Sequence, residues 1–97
     1  MTGTLSSTRQ AIRCVVAGRV QGVYYRAAAA DRAAQLVLHG WVRNLPDGRV
    51  EAVAAGSVEA LSEFASWLWL GPPAARVDSV QVEEWAGDVP DGFAVQG

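Results

Sequence analysis

The chain has 97 residues, 51% of them hydrophobic and 19% charged, with a formal net charge of −2; this fits one globular domain and excludes a disordered chain or a second core. The weak negative charge argues against a nucleic-acid binder that gains affinity by neutralising phosphates, and no apolar run approaches the length needed to span a membrane. Cys14 is the only cysteine and all eight basic residues are Arg, so a disulfide framework, a Cys-built zinc site and lysine-based chemistry are all excluded.

Residues 1–10, rich in Thr, Ser and Gly, read as a flexible N-terminal tail without the apolar stretch of a secretory signal, and residues 11–97 read as the single domain. Residues 12–17 (Ile-Arg-Cys-Val-Val-Ala) are a β-branched run and predict the first strand. A loop with two glycines, Gly18 and Gly22, follows. Residues 23–38 lack Gly and Pro and are rich in Ala, which predicts a helix with Val23, Ala27, Ala30, Ala34 and Leu38 on its apolar face. Residues 41–44 and 49–55 predict short strands joined through Leu45-Pro46-Asp47-Gly48, where Pro presets φ and Gly supplies a positive φ. Ser57 is placed to cap a second helix, with Glu59 in the first turn, where the helix dipole favours an anion. Leu61, Phe64, Ala65 and Leu68 form its core-facing stripe, and Gly71-Pro72-Pro73 ends it. Residues 77–85 predict a fourth strand, and residues 93–96 a short fifth. The order βαββαβ predicts an α+β, ferredoxin-like sandwich: two helices on one face of a four-stranded antiparallel sheet, with the fifth strand added. That fold hosts many functions and names none.

The chemistry concentrates in Gly18, Arg19, Val20, Gln21, Gly22, Val23 and Tyr24, followed by Tyr25 and Arg26. This segment runs from a strand into a helix N-terminus, which leaves unpaired backbone N–H groups and the positive end of the helix dipole. A cation at Arg26 sits at the wrong end of that dipole, at a cost of about 0.3–1 kcal/mol, unless an anion lies between guanidinium and amides. Amides with a bidentate Arg make a phosphate site. The same spacing also fits a plain glycine-containing loop with Arg26 in solvent, and spacing leaves both readings open. Asn44 ends a strand ahead of a turn, where bonding to its own local backbone explains it by itself.

Two stretches taken together are more specific. Gly-Arg-Val-Gln-Gly-Val-Tyr-Tyr-Arg, ending at Arg26, and Gly-Trp-Val-Arg-Asn-Leu-Pro-Asp-Gly-Arg-Val-Glu, beginning at Gly40, resemble the two signature motifs of the acylphosphatase family. Their order, their spacing, the chain length and the later Gly71-Pro72-Pro73-Ala74-Ala75-Arg76-Val77 match as well, so the resemblance spans about residues 13–95. It implies the same ferredoxin-like fold and hydrolysis of an acyl phosphate to a carboxylate and inorganic phosphate. Carried over by position, the catalytic arginine is Arg26 and the catalytic asparagine Asn44, while Gly18 through Tyr24 form the phosphate-binding loop, mainly through backbone amides. The family's chemistry uses no metal and no organic cofactor: the leaving group is good, so positioning and charge stabilisation suffice. Arg26 takes part of the role that a metal plays elsewhere. Asn44 orients the attacking water, and the substrate itself takes the proton. The implied partners are a small acyl phosphate and phosphate or sulfate anions, with no nucleic acid and no membrane. The expected state is a cytoplasmic monomer.

The chain departs from the family at two places. Tyr24 and Tyr25 stand where Phe, or Gly then Phe, is common, and a buried Tyr25 hydroxyl needs a partner. Val37 stands where Gly usually precedes the Gly-Trp pair. A β-branched residue resists the positive φ of a helix exit, so either the helix ends differently there or the exit carries a stability cost.

The remaining candidates read as structural. His39 has no Ser or Cys partner nearby in sequence and reads as an exposed turn residue, and Cys14 reads as a small buried hydrophobe. Trp67 and Trp69 lie about 200° apart on a helix, so one of them faces outward. Asp31 and Asp47 have Arg32, Arg43 and Arg49 near in sequence, and such surface pairs contribute under about 1 kcal/mol. Two rival functions are weaker. A non-catalytic anion-binding module would be expected to have lost Arg26 or Asn44, and it has both. Related domains also front larger carbamoyl-transferring proteins, and the absence of any further domain here argues against that setting. A single-stranded RNA binder would stack bases on aromatics of its central strands, and residues 12–17 and 49–55 hold none.

Overall fold

The computed structural model describes residues 9–97. Of the expected tail, residues 1–8 lie outside the described residues. The elements are β1 (Gln10–Arg19), α1 (Tyr25–Gln35), β2 (His39–Asn44), β3 (Val50–Gly56), α2 (Val58–Leu70), β4 (Arg76–Glu84) and β5 (Phe93–Gln96). They form the expected α+β sandwich. The sheet has five strands in the order β4-β1-β3-β2-β5. Neighbours are antiparallel except β5, which runs parallel to β2 along its outer edge. No helix among the described residues is long and apolar enough to cross a membrane.

Strand alternation decides the two faces of the sheet. Cys14 and Val16 of β1, Val42 of β2 and Ala52 and Ala54 of β3 share a core with Tyr25, Ala29 and Ala33 of α1 and Leu61, Phe64 and Leu68 of α2. Small alanines on β3 and α1 let helix and sheet approach closely. The opposite face is also well covered: Val15, Val53 and Ala55 are buried there, and Trp41 meets Trp85 edge to face at 5.7 Å. The same face carries a charge ladder across four strands. Glu51 accepts from Arg13 Nε and Arg43 Nε, each at 2.6 Å, and Arg13 Nη1 continues to Glu83 at 3.1 Å. Burial alone would raise the Glu51 pKa, but the hydrogen bonds from Arg13 and Arg43 outweigh it and hold the carboxyl below its ordinary value.

Several boundaries and one helix face differ from expectation. α1 begins at Tyr25 rather than residue 23, because Tyr24 is left-handed (φ 67°). Its buried face is Tyr25, Ala29 and Ala33, whereas Ala34 is exposed. The Tyr25 ring sets this rotation: it is buried, and its hydroxyl donates to the Leu68 carbonyl of α2 at 2.6 Å, which satisfies the added oxygen. α1 ends at Gln35, and residues 36–38 form its exit. There Val37 N–H donates to the Ala34 carbonyl (3.1 Å) and Leu38 N–H to the Ala33 carbonyl (2.9 Å), the paired bonds of a Schellman motif. Val37 holds φ 58° to make them. The helix therefore ends in the ordinary way, and of the two alternatives the chain takes the strained one.

α2 follows expectation closely. Ser57 Oγ accepts from Ala60 N–H at 3.1 Å, and Gly71, at φ 64°, donates back to Trp67. Trp67 packs on Tyr25 with ring centroids 5.8 Å apart, and Trp69 is the exposed member of the pair. His39 opens β2 half-buried rather than lying in an exposed turn.

Candidate active site

Residues 18–24, which lead from β1 into α1, play different parts. Gly18 and Arg19 belong to the end of β1, not to the loop. Gly18 sits at a register shift against β4, and a Cβ there would run into the Arg76 carbonyl, so strand approach alone explains this glycine. Val20 is buried and anchors the loop in the core, and Val23 packs partly against it. Gly22 has φ 74° with open space around its would-be Cβ, so its backbone conformation is what requires glycine. Tyr24 is exposed and occupies the N-cap position of α1 without a side-chain cap, and no acidic residue stands in the first turn. The amides of Tyr25, Arg26 and Ala27 thus have no partner within the helix.

Gln21 has a role beyond its backbone. Its Nε2 donates to the carbonyls of Leu45 and Arg49, each at 2.9 Å. These two carbonyls also close the β2–β3 turn, accepting from Gly48 and Leu45 N–H. One side chain therefore clamps the loop before Arg26 to the turn just after Asn44.

Arg26 and Asn44 are brought together at one cavity of about 190 Å³, which is also lined by Val20, Gly22, Tyr24, Tyr25, Ala27 and Val95. Two features there stand out. Asn44 Oδ1 is shielded from solvent and has no hydrogen-bond partner among the described residues. A shielded carbonyl oxygen without a donor costs about 1–3 kcal/mol. Arg26, for its part, has no carboxylate within 4.0 Å among the described residues; its Nη1 donates instead to the Gln96 carbonyl of β5 at 2.7 Å. The guanidinium thus forms no ion pair among the described residues, and its other N–H groups stay available.

The contribution of β5 was missed by sequence reasoning. The short strand at residues 93–96 was expected, but nothing in the sequence says that it pairs beside β2 and brings Val95 and Gln96 to Arg26. Two buried groups play no part in proton or acyl transfer. Burial pushes the Cys14 thiol up to about 12 and raises the Tyr25 phenol as well, so both stay protonated and neither serves as a nucleophile.

The acylphosphatase family model matches residues 12–95. The chain belongs to the acylphosphatase family. It is 54% identical over 72 residues to an acylphosphatase of Nitrosococcus oceani, covering 74% of this chain and 81% of that one. An acylphosphatase of Halorhodospira halophila is 45% identical over 91 residues, 94% of this chain and 99% of the relative. Among solved structures, an acylphosphatase from Coxiella burnetii matches with a TM-score of 0.89 at 38% identity, over 99% of this chain and 100% of that one. The chain is accordingly a hydrolase of acyl phosphates, and these relatives lend no support to a non-catalytic anion-binding module.

Proposed function

We propose that this acylphosphatase binds the phosphoryl group of its substrate in the cavity between α1 and the end of β2, and that its own residues divide the work there. The observation that carries this reading is that Arg26, in the first turn of α1, and Asn44, at the end of β2, line one cavity. Arg26 and the first amides of α1 grip the phosphoryl oxygens, where guanidinium and helix dipole act on the same negative charge. Val20, Gly22 and Tyr24 shape that loop; Gly18, Arg19, Gln21 and Val23 hold it in place. The Asn44 carboxamide holds the attacking water and aims its oxygen at phosphorus. The new P–O bond forms as the bond from phosphorus to the acyl oxygen breaks. The carboxylate departs with that electron pair, and the water's proton passes to a phosphoryl oxygen. An acyl phosphate dianion and water thus become a carboxylate and dihydrogen phosphate, and both atoms and charge balance.

The protein's part is positioning and charge stabilisation, and Arg26 supplies the cation. On this reading the reaction needs no metal, the substrate is a small molecule, and the enzyme works as a cytoplasmic monomer. Benzoyl phosphate hydrolysis tests it. Turnover persists in EDTA. Arg26→Ala weakens phosphate inhibition roughly tenfold or more, and lowers turnover with it. Asn44→Ala lowers kcat by about 10²–10³-fold and leaves phosphate inhibition near the wild-type value. An Asn44→Ala variant that kept its turnover would refute the water-aiming role.

A further inference from the structure

We propose that His39 is a positioning residue for the reaction: it pins the loop ahead of β5, and β5 in turn holds Arg26 at the cavity. The inference rests on the reading of Arg26 given above. β5 is an edge strand of only four residues, paired on one side, with Gly40 opposite Phe93 and Arg43 opposite Gln96. Such a strand owes its place largely to how its ends are fixed. Gly92 fixes the first end with both of its backbone groups. Its carbonyl accepts from Gly40 N–H at 2.8 Å, and its N–H donates to His39 Nδ1 at 2.8 Å. A positive φ of 75° turns the two groups toward the start of β2. Phe93 then packs edge to face on Phe64 of α2 at 5.8 Å, and at the far end the Gln96 carbonyl accepts from Arg26 Nη1 at 2.7 Å. A chain of contacts therefore runs from His39 through Gly92 and β5 to the guanidinium.

His39 Nδ1 accepts only while the imidazole is neutral, with its proton on Nε2. An asparagine at this position offers an acceptor, Oδ1, at about the place of Nδ1.

The test uses the whole chain with His39→Leu and His39→Asn. It measures kcat and KM for benzoyl phosphate, inhibition by inorganic phosphate at pH 7.5, and the melting temperature. His39→Leu should weaken phosphate inhibition by roughly two- to tenfold at pH 7.5, the range for one lost hydrogen bond, and His39→Asn should restore it to within about twofold. The proposal is overturned if His39→Leu binds phosphate like the wild type or if His39→Asn is as weak as His39→Leu. If His39→Leu does not fold, His39→Ala takes its place in the same comparison. Arg26→Ala separates the two claims. If it weakens inhibition while His39→Leu does not, only the His39 proposal fails; if Arg26→Ala has no effect, the reading of the cavity fails with it.

Discussion

Val37→Gly should stabilise this enzyme without touching its chemistry. Val37 holds φ 58° at the exit of α1, and the residue is 75% exposed, so little burial is lost on removing its side chain. Both Schellman bonds come from backbone groups and survive the change. Left-handed geometry costs an L-residue roughly 1–2 kcal/mol, which glycine does not incur. Against this, glycine gives the unfolded chain about 0.4–1 kcal/mol of extra conformational freedom. The two ranges leave a central net gain of about 0.8 kcal/mol, and for a domain of this size it raises Tm by roughly 3–6 °C. Thermal unfolding followed by far-ultraviolet circular dichroism reads the shift. Val37→Asn should recover part of the gain, since Asn visits this region more readily, and Val37→Ala little, since the Cβ is itself the obstacle. kcat should not change, because Val37 and Arg26 lie at opposite ends of a helix about 16 Å long. An unchanged or lower Tm for Val37→Gly would refute the strain argument.

The other predictions concern polar contacts. Gln21→Ala removes both ties between the α1 entry loop and the β2–β3 turn, and should lower kcat and Tm together; Gln21→Glu should be worse than Ala, because it sets a carboxylate against the Leu45 and Arg49 carbonyls. The Glu51 carboxyl titrates below its ordinary value in the folded state, so its stabilisation is full above the unfolded value of 4.5 and is lost as pH falls through the lower folded value. Tm measured from pH 7 down to 2.5 should therefore drop at the acid end, and Glu51→Gln should start lower at pH 7 and show a shallower drop. A variant whose acid limb matched the wild type would assign that limb to other carboxylates.

Local rules in the sequence determined much of this protein. Ser57 before a helical apolar stripe, Pro-Asp-Gly between two short strands and the β-branched run around Cys14 each placed an element within a few residues, because caps, turns and alternation act over a few positions of chain. The pairing of two motifs pointed to Arg26 and Asn44, and the family resemblance marked Val37 as a conflict, since a β-branched residue stands there where a glycine is usual. Which face of α1 is buried was not visible in that way. Alanines crowd all sides of that helix, and the rotation is decided by the Tyr25 hydroxyl finding a carbonyl on α2, 43 positions away. The same holds at the site. That Gln21 clamps the turn after Asn44, that Asn44 Oδ1 is shielded and unpartnered, and that β5 returns beside β2 to take a hydrogen bond from Arg26 are matters of strand order and long-range packing. A sequence states which groups are present; the closing of the sheet decides which of them meet, because those contacts form between segments whose separation along the chain carries no local signal.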